Sequence, residues 1–282
     1  MLIELHTHTI HSKSVEKGVL DRGINSTEEM VRRAKKIGLD GIAITDHDTI
    51  DGLKHIRKYS RKYDIMVIPG EEVSTAKGHM LALGVNKVIS PGLSVDETVD
   101  LIHKQGATAV AAHPFGTGHD GVGFECLKAD AAEAFNMQSW KCRVINYKAY
   151  RLALRYNLPI TAGSDAHSVD WIGYGVTETK SMTLDGALRD IRKGRTILHN
   201  QHYAPAKVEV DYMISLLRSF SDEELEVFMS TLPSLERAVF GRVLRTFRGA
   251  HAEYPYRFMA YFYRFYTSYM SLFRELISGP EY

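Results

Sequence analysis

Cysteine is nearly absent from this 282-residue chain, with Cys126 and Cys142 its only two. Two thiols cannot build a disulfide framework, which excludes the stapled secreted scaffolds and fits a reducing compartment. No run of about 18 apolar residues occurs, so no membrane span is expected. The N-terminus passes directly into Leu2-Ile3-Glu4-Leu5-His6, without the basic region and apolar core of an export signal, and a cytoplasmic location is expected. An excess of one charge is also missing. The 35 Lys+Arg and 34 Asp+Glu leave a net charge of +1, which excludes a strong general pull on long nucleic acid or membrane but not a local patch. There is no internal repeat and no low-complexity tract. What is present is ordinary globular composition, 44% apolar and 24% charged, at a length that suits one large domain or a domain with an appendix.

Up to about residue 205, short apolar runs alternate with helical patterns. The runs are Leu2–Leu5, Gly41–Thr45, Ile65–Ile68, Met80–Leu83, Ala107–Ala112, Ala131–Phe135, Ile160–Ala162 and Thr196–Leu198. Such runs suit strands buried on both faces of a parallel sheet. Capping boxes at Ser26–Glu29 and Ser94–Glu97 open helices that stop at Gly38 and Gly106, and Lys141–Tyr156 has helical composition before Pro159. Strands alternating with helices predict an α/β barrel or a doubly wound sheet. Six of the runs end in polar residues: His6-Thr7-His8, Asp46-His47-Asp48, Glu71-Glu72, His113-Pro114, Asn136 and Ser164-Asp165-Ala166-His167. A barrel gathers the C-terminal ends of its strands on one face, whereas a doubly wound sheet spreads them along a line, so this convergence favours the barrel.

Thirteen histidines make His the outlier, and their clustering matters more than their number. His55, His103, His202 and His251 sit in helix-like or tail contexts and are read as ordinary surface or core residues. His6 and His8 are two apart at a strand end, so both side chains point to one side, as chelation of one metal requires. His-x-His and Asp165-x-His167 are each weak motifs. Together with Asp46-His47, Glu72, His79 and His113-Pro114 they form a strong one, because separate elements would each have to supply a ligand at the same end by chance.

On these residues the sequence resembles the PHP (polymerase and histidinol phosphatase) domain family of metal-dependent phosphoesterases. The resemblance rests on His6-Thr-His8, the run Gly38–Thr49, Gly70-Glu-Glu72-Val-Ser74, His79, His113-Pro114 and Gly163-Ser-Asp-Ala-His167, in the family order, and spans about residues 1–205. It implies a distorted seven-stranded (β/α) TIM-like barrel with two or three divalent metals (Mn, Zn or Fe) at the strand C-termini. One metal is implied on His6, His8, Glu72 and Asp165. Glu72 bridges to a second on His79 and His113, and a third uses His47 and His167. Glu72 is preferred to Glu71 because the family motif is Gly-x-Glu. The family's further ligand after His-x-His has no counterpart near Lys13-Ser14. His11, with Glu16 nearby and Asp21 farther off, is the candidate to take its place, and two metals rather than three are expected if it does not.

The implied activity is hydrolysis of a phosphate ester by a metal-activated water. The substrate is expected among small phosphorylated metabolites, nucleotides and oligonucleotide ends, with histidinol phosphate ranked below nucleotides. His199, His119 and Asp48 are candidates for supplying the leaving-group proton, although Asp48 is better read as a cap for a helix starting near Asp51. Lys77 and Arg143 are weaker candidates for holding phosphate. The glycine-rich stretch His113–Gly123 lacks the Walker pattern and reads as a flexible site rim. After Pro205 the chain has helix signals only, including a capping box at Ser221–Glu224, so residues 206–282 are expected to form an all-helical extension. Its aromatic stripe of Phe258, Phe262, Phe265, Tyr269 and Phe273 suits a cap on the barrel or self-association into a homo-oligomer. Two alternatives remain open: a non-phosphate hydrolase on the same metal barrel, and a non-catalytic scaffold that binds a partner through the aromatic tail. No membrane partner is expected.

Overall fold

A computed structural model describes residues 1–12, 22–116, 120–138 and 143–231, together with Ser234 and Arg237. In chain order the elements are β1 (Leu2–Glu4), α1 (Thr27–Lys36), β2 (Gly41–Ile44), α2 (Ile56–Tyr63), β3 (Met66–Ser74), β4 (His79–Leu83), α3 (Val95–Lys104), β5 (Thr108–Ala111), β6 (Ala131–Asn136), α4 (Arg143–Tyr156), β7 (Ile160–Gly163), β8 (Gly175–Thr179), α5 (Leu184–Arg192), β9 (Thr196–Gln201), α6 (Ala206–Ser219) and α7 (Asp222–Thr231). Among the described residues nine strands form one sheet in the order β7-β6-β5-β4-β3-β2-β1-β8-β9. No helix among the described residues is long and apolar enough to cross a membrane. The stretch 117–119 with His119, the residues Lys13, Ser14, Glu16 and Asp21, and the aromatic stripe from Phe258 to Phe273 lie outside the described residues, as does the self-association expected of that stripe.

The capping boxes form as the sequence predicts. Ser26 accepts from the Glu29 amide while Glu29 accepts from the Ser26 amide, and Ser94 with Glu97 repeats the arrangement at α3. Each helix then turns apolar residues inward: Met30, Val31 and Ala34 from α1, and Val95, Val99 and Ile102 from α3. Asp48 does not cap the turn at Asp51. Its carboxylate accepts instead from the amide and hydroxyl of Ser74, at 2.8 and 2.7 Å, and ties the end of β2 to the end of β3.

The sheet curls into a nearly closed barrel, as expected, but with nine strands. Seven of them, β1, β2, β3, β5, β6, β7 and β9, share one direction, and β4 and β8 run against them. The sequence concealed β8 because Gly-Val-Thr-Glu-Thr is more polar than the other strands. Its Thr177 hydroxyl does structural work: it accepts from the Ala162 amide at 2.8 Å and donates to the Ala162 carbonyl at 2.9 Å. Thr196 of β9 donates to the Ile160 carbonyl at 2.7 Å. Side chains thus close the seam between β7 and the β8–β9 hairpin where no backbone ladder runs.

Inside the barrel Ile3, Ala43, Ile68, Leu81, Leu83 and Val110 pack with Ala187, Leu188 and Ile191 of α5. Arg192 of α5 reaches Thr108 at the start of β5, so this apolar plug fills the end where the parallel strands begin. The opposite end is left for polar groups.

The seam yields a prediction. A Cβ at Gly175 would lie 2.2 Å from the Gly163 carbonyl oxygen and 2.3 Å from its carbon, both fixed backbone atoms. Gly175→Ala is expected to lower stability by at least the upper part of the ~1–3 kcal/mol range for overpacking. A urea melt would show this as a lower midpoint at unchanged slope. An unmoved midpoint would show that the seam yields freely.

Candidate metal centre

Two isolated pairings beyond the regular strands assemble the rim. Thr7 pairs with Ala166 and His47 with Glu72, both in parallel. The His8 amide donates to the Ala166 carbonyl at 2.9 Å, and the Ala166 amide to the His6 carbonyl at 3.0 Å, which locks the His6–His8 segment to the Asp165–His167 segment. The Glu72 amide donates to the Asp46 carbonyl at 3.1 Å, and the Asp48 amide to the Glu72 carbonyl at 3.0 Å. His79 reaches the same rim because it opens β4, the reversed strand. His113 and Asp165 both have positive φ, 25° and 53°. Such a backbone costs about 1–3 kcal/mol and persists only where its surroundings enforce it; for His113 one restraint is its amide donating to Glu133 at 2.9 Å.

The side chains fall into three overlapping groups, each with ligand atoms within 4.8 Å of one another: His6, His8, Glu72 and Asp165; His47, Glu72 and His79; and His8, His47 and His167. His113 Nε2 stands 3.1 Å from Glu72 Oε1 and 3.8 Å from Asp165 Oδ2. The structure therefore brings His6, His8, His47, Glu72, His79, His113, Asp165 and His167 together. The first group is the set expected around one metal; His47 also stands beside Glu72 and His79, and His8 is shared by two groups. Glu71 points elsewhere and accepts from the Ile89 amide at 3.0 Å.

Two candidates are not brought to the cluster. His11 is exposed on the turn closed by the Ser12 amide donating to the Thr9 carbonyl. Ser12 takes the inner position instead: its Oγ lies 3.1 Å from His8 Nδ1 and accepts from the His47 amide at 2.9 Å. His199 falls at the register shift between β8 and β9, exposed, with Nδ1 3.3 Å from Glu178. It lines an outer cleft with Leu2, Arg33, Leu39 and Tyr174, near the ends where β1 and β2 begin, rather than the ligand rim. Lys77 is engaged by Glu125, and the Arg143 side chain lies outside the described residues.

Glu133 was not singled out from the sequence. It is fully buried, accepts from His6 Nδ1–H at 3.0 Å, and so turns His6 Nε2 toward Glu72 at 2.9 Å. Asn136 bridges Glu133 and Asp165 with one amide nitrogen, at 3.0 and 3.2 Å. An acid inside Ala131-Ala-Glu-Ala-Phe135, an otherwise apolar strand, was the available signal.

The electrostatics describe a site made for cations. Burial raises the cost of every charge here, yet neighbours outweigh it. Burial disfavours the His8 imidazolium, but hydrogen bonds to Asp165 and Glu72 push its pKa up to about 9. His113 rises to about 9 against the same penalty, through Glu72. His6 is held well above the usual histidine range by Asp165, Glu72 and Glu133. Against burial, the surrounding imidazoles hold Glu72 and Asp165 well below the usual carboxylate range. His8 Nε2 stands 3.1 Å from an oxygen of Glu72 and 3.1 Å from one of Asp165, and His79 Nδ1 stands 3.1 Å from the other Glu72 oxygen. Imidazole nitrogens crowded against shared carboxylate oxygens, backed by Glu133 on the far side of His6, form a donor set that could hold a metal ion.

Comparison with known proteins agrees. The family profile described as PHP domain matches residues 4–157, and one described as PHP-associated matches residues 145–196. The chain is 35% identical over 141 residues to an uncharacterised protein of Methanocaldococcus jannaschii, covering 48% of this chain and 82% of that one. It is 30% identical over 93 residues to a phosphoribosyl 1,2-cyclic phosphate 1,2-diphosphodiesterase of Eggerthella lenta, covering 31% of this chain and 32% of that one. Its fold is similar to the crystal structure of a two-domain protein from Bacteroides vulgatus containing a predicted PHP-like metal-dependent phosphoesterase, with a TM-score of 0.58 at 19% identity. That match covers 71% of this chain and 64% of the other, just under two thirds of its length, and at such identity it speaks for the fold alone. The profile match extends over more than half of the sequence and runs through the rim residues from His6 to His113, and on it the chain belongs to the PHP domain family.

Proposed function

We propose that this protein is a metal-dependent phosphoesterase acting on a phosphate ester of a small metabolite, a nucleotide or an oligonucleotide end. The carrying observation is the sharing of ligands: Glu72 belongs to two of the three groups, and so do His8 and His47. Ligands shared in this way hold cations close together, the arrangement suited to gripping a phosphoryl group. Bound there, divalent cations would lower the pKa of a water and neutralise charge on phosphate oxygens. The protein's own part is positional. Glu133 fixes the tautomer and tilt of His6, and Asn136 fixes Asp165. The rim pairings keep His8 against Ala166 and Glu72 against Asp46, so the donors do not reorganise when a substrate arrives. The Eggerthella lenta relative, named for a cyclic phosphodiester, supports a phosphoester over another electrophile. The low cysteine count supports a reducing, cytoplasmic setting.

Three outcomes are expected. His6→Ala and Asp165→Ala should each lose more than about a hundredfold of phosphate release from a nucleotide panel, and a chelator should abolish release from the wild type. Metal without phosphate release across the panel would overturn the phosphoester reading in favour of another hydrolysis. Glu133→Gln, which keeps the shape and removes the charge behind His6, should cost ~10–100-fold in metal affinity. Unchanged affinity would reduce Glu133 to a packing residue.

The third outcome concerns protons. His8 and His113 have cation-free values of about 9, above the ordinary 6.5, so both carry protons at pH 7. Their charge contributes stability to the cation-free protein that is complete below about 6.5 and is lost as pH rises through about 9. Metal ligation requires neutral imidazoles. Loading at pH 7 should therefore release at least two protons per chain, and affinity should climb as pH rises toward 9. Calorimetry in two buffers of different ionisation heat measures the release, and binding without it would contradict the assignment of these histidines as ligands.

A further inference from the structure

We propose that the C-terminal helices α6 and α7, which lie beyond both family profiles, are a working part of the metal centre: through Tyr212 and Arg22 they position His8 and His167. The inference rests on the metal-site reading above.

The contacts run inward in two steps. Tyr212 of α6 is 5% exposed, and its ring lies 4.5 Å from Trp171 and 6.1 Å from His167. Trp171 itself meets His167 edge-on at 5.9 Å. The other side of His167 stacks on His8 at 4.2 Å. One ligand imidazole is thus held between a second ligand and an aromatic wall that the extension completes.

The second step passes through Arg22. The Tyr212 hydroxyl donates to the Arg22 carbonyl at 3.1 Å. The Arg22 guanidinium donates to Glu224 at 2.9 Å and to the Ser219 carbonyl at 2.6 Å, and lies 4.1 Å over the Phe220 ring. Helices α6 and α7 therefore grip this residue by both main chain and side chain. The residues that follow rest on the ligands. A Cβ at Gly23 would lie 2.4 Å from the His8 carbonyl oxygen, so the two backbones touch. The Ile24 amide donates to the His167 carbonyl at 3.0 Å, and Asn25 accepts from the Ile10 and Val169 amides, both at 3.0 Å. A shift of Arg22 is carried to His8 and His167 by direct contact.

His167 belongs to the His8–His47–His167 group alone, and His8 is shared between that group and the His6–Glu72–Asp165 group, where Glu133 holds His6 and Asn136 holds Asp165 from within the barrel; the His47–Glu72–His79 group contains neither His8 nor His167. The extension should therefore act most on the cation of the His8–His47–His167 group and leave the His47–Glu72–His79 group without a direct effect. The measurement is metal content and stepwise affinity of the full chain, titrated with Mn or Zn against a competing chelator. Arg22→Ala should lose about one cation per chain after desalting, or weaken one step by roughly tenfold or more, with at least one other step unchanged. Arg22→Lys, which keeps a cation for Glu224 and Phe220, should recover part of the loss. Tyr212→Phe deletes one hydroxyl from a ring that stays packed, and should weaken the same step by a smaller factor; it keeps the test decisive if Arg22→Ala does not fold. Unchanged content and affinities in both variants would overturn the proposal while leaving the metal site standing, and so would an equal loss at every step, which marks general loosening. A wild-type chain that takes up no cation would instead overturn the metal-site reading from which the proposal starts.

Discussion

Glu72 sits fully buried among five imidazoles, with nitrogens of His6, His8, His79 and His113 at 2.9–3.1 Å and His47 at 3.4 Å. One carboxylate has two oxygens and cannot accept well from five donors. Nor can stacked imidazoles so near one another, His8 on His47 at 4.6 Å and on His167 at 4.2 Å, all carry charge without repulsion. Protonation therefore relieves this site only in part. Divalent cations would relieve it further, by turning the surplus nitrogens and oxygens from competitors into joint ligands. The raised histidine values and depressed carboxylate values express that one frustration.

The fold answers with rigidity. The rim extends the strands by backbone pairing at Thr7–Ala166 and His47–Glu72, so ligands on neighbouring strands cannot drift apart separately. Reversal of β4 delivers His79 from the start of a strand to a rim otherwise built from strand ends. Positive φ at His113 and Asp165 aims these two side chains where regular geometry would not. Buried Glu133, which accepts from the His113 amide, and buried Asn136, which donates to the Asp165 carboxylate, help to hold both residues there. The apolar plug of Ile3, Leu81, Leu83 and Val110 at the other end fixes the strands on which all of this depends.

How much of this was legible in the sequence follows from how local each signal is. Capping boxes at Ser26 and Ser94 act over four residues and formed as written. The apolar runs marked eight strands, and β8 escaped because Thr177 and Glu178 serve a seam and a hairpin rather than a two-sided core. The histidines and acids that end strands could be found because ligand chemistry leaves few alternatives for His, Asp and Glu crowded at one end of a barrel. Roles set by long-range partners could not be found. Asp48 looks like a helix cap until Ser74, far along the chain, is seen to donate to it. Glu133 looks like one acid in a strand until it meets His6. His11 has the right type and sequence neighbourhood, and only the Thr9–Ser12 turn decides that Ser12 faces inward and His11 outward. His199 follows an apolar run as the rim residues follow theirs, but it lies inside β9, is the extra residue of a register shift and faces out beside Glu178.

The C-terminal helices show why a family boundary need not be a physical one. The cluster that holds Met30, Ile44, Phe135 and Trp171 against the outside of the barrel also contains Leu216, Phe220 and Leu225 of the extension. Each such side chain stabilises the fold by about 1.5–3 kcal/mol when fully buried, so the extension and barrel wall share one core rather than meeting as separate bodies. The shared layer passes directly behind His167. An imidazole whose back rests on Trp171 and Tyr212 takes its orientation from the packing of that layer, and the imidazole it stacks on, His8, takes part of its orientation in turn. On the proposal above, one corner of the candidate metal centre would be set by a helix that supplies none of its side chains, and sequence change confined to that helix would reach the centre through Tyr212, Trp171 and His167.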